Sequence, residues 1–207
     1  MTRVFRSGRW YAEAKKNPEP RAFWTYDRVK MEIRDARPDD LPAIAKVHVD
    51  SWRATYREVL PKGYLNDLSY DARETMWAGA FGEKSPSFLV VAEDLGRVVG
   101  FAAGGAARQD TPESRPYGGE LYAVYMLESY QRRGLGRRLV AAVADELIGR
   151  GHTDMITWVL EDNAACRFYE RLGGERLGSK TVEIAEMSLR AVAYGWPDAS
   201  VLLKPEV

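Results

Sequence analysis

The chain has 207 residues, the size of one domain with a short extension. Its 30 basic and 30 acidic residues cancel, so a general affinity for nucleic acid or an anionic membrane is not implied. A single cysteine, Cys166, excludes an intrachain disulfide and a cysteine-rich zinc cluster. No apolar run approaches the roughly 20 residues that span a bilayer.

Residues 1–30 carry eight Lys/Arg against three Asp/Glu, so a basic arm precedes a mildly acidic body. The arm lacks periodicity and contains the turn-rich Lys15–Pro20, which reads as a loosely attached extension. It has no apolar core of the signal-peptide type, and a cytoplasmic location is expected. The domain proper is expected over 31–207. Met31–Ala36 reads as a first strand. From Pro38 a helix follows, with Leu41, Ile44, Ala45, Val47, His48, Trp52 and Tyr56 on one stripe. Tyr64–Leu68 and Arg73–Phe81 read as shorter helical pieces. Ser87–Glu93 and Val98–Ala107 form a hairpin about Asp94-Leu95-Gly96. After a polar loop come a strand at Glu120–Leu127, a helix at Gly134–Gly151, a strand at Met155–Leu160 and a helix at Asn163–Leu172. Val182–Met187 and Ser200–Leu203 are expected as the last strands. A hairpin followed by β-α-β-α-β implies an α/β domain with a mixed sheet.

The most informative stretch is Glu120–Leu139, where a buried-type strand runs through a short loop into a helix opened by two glycines. The free N–H groups and positive dipole end of a helix's first turn make an anion site. Gly134 and Gly136 let backbone approach closely, and Arg132, Arg133, Arg137 and Arg138 add positive charge. A pyrophosphate suits such a mouth. A dinucleotide fingerprint fails because Leu139 stands where its third glycine belongs, and no Gly-Lys-Ser/Thr of a Walker loop is present.

Gln131-Arg132-Arg133-Gly134-Leu135-Gly136 resembles the Gln/Arg-x-x-Gly-x-Gly/Ala acyl-CoA motif of the GNAT superfamily of N-acetyltransferases. Asn163-Ala-Ala165 through Tyr169 and Gly173 resembles that family's second signature at the family's spacing. Ser51–Tyr56 and Tyr194-Gly195-Trp196 resemble a common bacterial branch. The resemblance runs from about Met31 to Leu203. It implies a GNAT-like, mostly antiparallel central sheet, splayed between its fourth and fifth strands and flanked by helices. It implies acetyl-CoA as cosubstrate and no metal. Val124, Tyr125 and Met126 would lie at a bulge and bond the pantetheine and the thioester carbonyl. Gln131–Gly136 would hold the pyrophosphate, Asn163 would touch the pantetheine arm, and Tyr169 would be the general acid. Two positions depart from the pattern. Glu128 replaces a proline, and Gly174 replaces a bulky residue, which is expected to loosen the following strand.

Acetyl transfer to an amine needs neutral nitrogen. An amine of pKa near 10.4 is neutral in about one molecule in 10³ at pH 7, a deficit of roughly 4 kcal/mol. Glu120 opens the strand leading to the bulge, at the offset of the catalytic glutamate in the histone-acetylating branch, and is the candidate base. Cys166, His48 and His152 are read as structural, His152 as a helix cap. The acceptor, a small-molecule or peptide amine, is expected against Trp52, Tyr56, Tyr64, Trp77, Tyr194 and Trp196. Asp50, Glu58 and Asp67 would attract its charge. A non-catalytic acyl-CoA sensor and a longer acyl donor are the alternatives. Exposed sheet edges and the basic arm leave room for a homodimer.

Overall fold

The computed structural model describes residues 31–81 and 85–204, together with the backbone of an antiparallel ribbon pairing Arg3–Arg6 with Arg9–Ala12. The rest of the expected N-terminal arm lies outside the described residues. Seven strands form the main sheet: β1 (Met31–Asp35), β2 (Ser87–Asp94), β3 (Arg97–Ala106), β4 (Gly119–Met126), β5 (Met155–Leu160), β6 (Glu175–Ile184) and β7 (Met187–Trp196). Their order is β1-β2-β3-β4-β5-β7-β6, and every neighbouring pair is antiparallel except β4–β5. Helices α1 (Leu41–Thr55), α2 (Lys62–Asn66) and α3 (Tyr70–Ala78) precede β2, whereas α4 (Leu135–Gly149) and α5 (Ala165–Arg171) flank β5 in sequence.

The sheet is covered on both faces, which is why Phe88–Ala92 and Val98–Ala103 read as unbroken apolar runs. One face packs Val90, Val99, Leu121 and Met155 against Leu135, Leu139, Val143 and Leu147 of α4. The other packs Leu89, Val91 and Phe101 against Ile44 and Val47 of α1. Leu95 and Gly96 both have positive φ, the primed turn that suits the right-handed twist of β2 and β3. α4 ends as expected, with the His152 N–H bonded to the Leu147 carbonyl at 2.9 Å.

Two expectations are corrected at the C-terminal end. The last hairpin turns at Ala185–Glu186, inside the segment read as one strand, and Ser200–Leu203 lies in a 3-10 helix spanning Ala199–Leu203. β6 is an edge strand with mostly half-exposed or exposed residues, so its polar face carried no apolar alternation to read. Gly174 does not loosen the sheet either. A Cβ there would stand 2.8 Å from Cζ2 of Trp196, so the indole fills the space of the missing side chain. Trp196 Nε1 also donates to the Leu172 carbonyl at 2.9 Å, closing the end of α5.

Candidate functional site

β4 and β5 pair only through Gly119, Glu120 and Leu121, opposite Met155, Ile156 and Thr157. Beyond them β5 continues to Leu160 against β7, while Tyr122–Met126 keeps β3 alone. The splay has a local cause. Gly104 faces Leu121 and Ala103 faces Ala123, so Tyr122 is an extra residue, and such a bulge bends its strand and raises its twist. The bulge is thus at Tyr122, ahead of the expected Val124–Met126. Leu127 N–H bonds the Val99 carbonyl at 2.9 Å. By the alternation of an antiparallel ladder, Tyr125 turns its backbone groups to β3, and Val124 and Met126 turn theirs to the gap. Ser51, the first residue of the Ser51–Tyr56 motif, donates its hydroxyl to the Met126 carbonyl at 3.0 Å and fastens α1 to the strand end.

The gap opens into a cavity of about 300 Å³ lined by Tyr122–Tyr125 on one side and Thr157–Leu160 on the other. Tyr169 and Asn163 complete it, so the structure brings both second-motif residues to the open edge of β4. Asn163 is also a fastener: its Nδ2 donates to Tyr56 Oη and its Oδ1 accepts from Ala165 N–H, both at 2.9 Å. Tyr169 is buried against Tyr194 and Trp196, and burial raises its phenol pKa above the usual value, with Thr157 acting the other way. It stays protonated through the neutral range.

At the far end of β4 the chain passes a 3-10 turn, Glu128–Tyr130, into Gln131–Gly136. Arg132 has φ +61° and Gly134 φ +77°, alternate left-handed residues of the kind from which anion-binding nests of backbone N–H groups are built. The first bond into α4 is Arg138 N–H to the Gly134 carbonyl at 3.2 Å, so the N–H groups of Leu135 and Gly136 precede the helical ladder. A Cβ on Gly136 would stand 3.1 Å from Met126 Cε and 3.3 Å from Phe168 Cζ, so glycine lets the helix start pack closely against the end of β4 and against α5. Not all four arginines serve the mouth. Arg137 reaches the Lys204 carbonyl at 2.7 Å and Arg138 the Met31 carbonyl at 3.1 Å, tying neighbouring segments to α4. Arg132 and Arg133 are exposed beside the loop.

Glu120 is placed differently from a free base. It is 1% exposed and accepts from the backbone N–H of Arg108 at 2.9 Å and from that residue's guanidinium. Arg108 lines the cavity and Glu120 does not.

The expected acceptor wall is also revised. Tyr194 and Trp196 are core residues, and Asp50 is held by Lys46 and Tyr70. Of the aromatics named, Tyr56 alone lines the cavity. Trp52 and Trp77 surround buried His48, whose ring stacks on Tyr125 at 4.8 Å and whose Nδ1 accepts from Trp77 Nε1 at 3.0 Å. Burial, aided by the charge of Arg73, lowers the His48 pKa to about 3. The unfolded chain therefore takes up the proton first, and stability present above the ordinary value near 6.5 is lost as pH falls toward 3. The slope from this group is about 1.4 kcal/mol per pH unit, or roughly 2 kcal/mol across the 1.5 units below pH 6. His48→Asn, which keeps an acceptor for Trp77, flattens that limb. Urea midpoints at several acidic pH values, wild type beside variant, measure it.

Comparison with known proteins agrees with this geometry. A family model described as FR47-like protein matches residues 98–183. The uncharacterized N-acetyltransferase YuaI of Bacillus subtilis (strain 168) is 44% identical over 173 residues, covering 83% of this chain and 96% of that protein. The fold is shared with two solved structures. The PaiA N-acetyltransferase of Thermoplasma acidophilum, solved with coenzyme A, has a TM-score of 0.57 at 16% identity over 78% of this chain and 97% of that one. An N-acetyltransferase of Staphylococcus aureus Mu50 has 0.62 at 19% identity over 82% and 98%. The chain belongs to the GNAT superfamily of N-acetyltransferases.

Among the described residues no helix is long and apolar enough to cross a membrane, and no group of three or more His, Cys, Asp or Glu is placed to hold a metal ion.

Proposed function

We propose that the chain transfers the acetyl group of acetyl-CoA to a primary amine of a small molecule or peptide, by direct attack within a ternary complex. The observation that carries this reading is the open edge of β4, whose residues Tyr122–Tyr125 line one cavity with Tyr169 and whose far end leads into the Gln131–Gly136 loop. The residues fit the cosubstrate. An anion site at a helix start suits a pyrophosphate, and the backbone groups of Val124 and the N–H of Met126, turned to the gap, suit the amides of a pantetheine arm laid alongside as a further strand. Acetyl-CoA supplies an acyl group activated as a thioester.

The chain's own contribution is position and protons. A neutral amine forms the new C–N bond as the C–S bond breaks. Tyr169 gives its phenolic proton toward the departing sulfur, and the proton shed by nitrogen leaves through water. Water is the exit because Arg108 covers the Glu120 carboxylate. Cys166 does not line the cavity, and burial raises its thiol pKa, which argues against an acyl-enzyme. Initial rates measured against acetyl-CoA at several amine concentrations test this. Direct attack gives intersecting reciprocal plots, and parallel lines would refute it.

A further inference from the structure

Two cationic side chains, each paired with an acid, line the cavity at the end away from the Gln131–Gly136 loop. Arg108 contacts Glu120 at the start of β4, whereas the loop follows the strand's other end. Lys180 Nζ lies 4.2 Å from the ring of Trp158 and bonds Asp110 Oδ2 at 3.1 Å, which ties it to the Arg108 segment. Both cations line the cavity with aromatic rings beneath them, Arg108 standing 5.0 Å from the centre of Tyr122. Acetyl transfer by itself requires no cations there.

Glu120 explains how Arg108 is aimed. Its buried carboxylate takes the Nε and Nη2 side of the guanidinium, and no hydrogen bond among the described residues uses Nη1. The acid lies beneath at 1% exposed, and the arginine side chain above it is 61% exposed. A guanidinium held in this way offers its remaining N–H groups as a planar donor edge, the geometry that matches a carboxylate. Two anions, Glu120 and Asp110, balance Arg108 and Lys180. A site with no net charge favours a zwitterion over a polyamine, which two cations repel, and over a dianionic phosphate.

We propose that the acceptor is an amino acid: a primary amine that also bears a carboxylate, held through that carboxylate by Arg108 and Lys180. The inference rests on the acetyl-transfer reading and adds the class of acceptor. Glu120 then acts as a positioning residue that holds Arg108.

The test compares each common L-amino acid, and β-alanine, with its own carboxamide as acceptor, reading kcat/KM. An amide's amine is less basic and so more often neutral, which biases the comparison against the proposal. The expected result is a preference for acid over amide of about 10- to 100-fold in at least one pair, the size of a lost charge-assisted hydrogen bond. Arg108→Gln combined with Glu120→Gln removes the cation without leaving a buried carboxylate unpaired. It should bring the acid-to-amide ratio toward one, with Arg108→Lys restoring part of it and Lys180→Met lowering it. Acetyl-CoA titration of the double variant by calorimetry, within about threefold of wild type, shows the domain intact. Three results overturn the inference: amides equal to acids in wild type, an unchanged ratio in the double variant, or acetyl-CoA binding with no acid turned over. Failure of folded wild type to bind acetyl-CoA overturns the acetyl-transfer reading itself, a separable outcome.

Discussion

Tyr169→Phe lowers kcat by about 10²- to 10⁴-fold, the usual range for loss of a positioned general acid. Acetyl-CoA binding survives the change, because the ring keeps its contacts with Tyr194 at 5.9 Å and Trp196 at 6.0 Å. The two readouts separate catalysis from collapse. A thiolate whose conjugate acid has a pKa near 8.5 is a fair leaving group in water, so protonation contributes moderately and turnover does not vanish. Burial raises the phenol's pKa, so no fall in rate from Tyr169 ionisation is expected below about pH 10. Steady-state kinetics from neutral to alkaline pH, with calorimetric binding alongside, check both statements. A Tyr169→Phe enzyme with wild-type kcat removes Tyr169 from the proton path.

The second large effect is on binding. Gly134→Asp combined with Gly136→Asp reduces acetyl-CoA affinity by at least about 100-fold, which is about 2.8 kcal/mol. Gly134 has φ +77°, a region that costs an L-residue roughly 1–2 kcal/mol. A carboxylate at residue 134 has open space beside the loop proposed for the pyrophosphate, where like charges about 4 Å apart repel by about 4 kcal/mol at an effective dielectric of 20, and one at residue 136 also meets Met126 Cε at 3.1 Å and Phe168 Cζ at 3.3 Å. Two controls divide these causes. Gly134→Ala carries the backbone strain without the charge and loses less affinity. Gly149→Asp puts the same charge at the other end of α4, where an added Cβ meets nothing within 4 Å, and leaves the dissociation constant unchanged. Calorimetric titration of acetyl-CoA reads all four proteins. Equal affinity in the double variant and wild type assigns the Gly-rich turn to structure alone.

Trp196 ties the Tyr169 end of the site to the sheet. It fills the place beside Gly174, caps α5 through the Leu172 carbonyl and packs edge-on against Tyr169. The departure from the family pattern at Gly174 is thus matched by a large residue on the neighbouring β7. Volume missing from one strand is supplied from the next, as close packing requires.

Local pattern and tertiary contact divided the information unevenly. Helices α1 and α4, strand β5 and the β2–β3 hairpin were legible from residue order, because each carries its own period, turn or cap. The Gln131–Gly136 loop reads as a candidate anion site for the same reason: N–H groups at a helix start depend on a few adjacent residues. Side-chain partners were not legible. Glu120 is an acid at a strand's start in the sequence, but folding sets Arg108 over it. Tyr194 and Trp196 read as aromatics near a late loop, and the register of β7 buries them. The bulge at Tyr122 came from how β3 and β4 align, and the last hairpin from an edge strand with little apolar pattern. Residue order by itself determined the element sequence and the family motifs. Only the tertiary structure decided where the sheet opens and which charges face the cavity. Those depend on contacts between residues far apart in the chain, which no local period encodes.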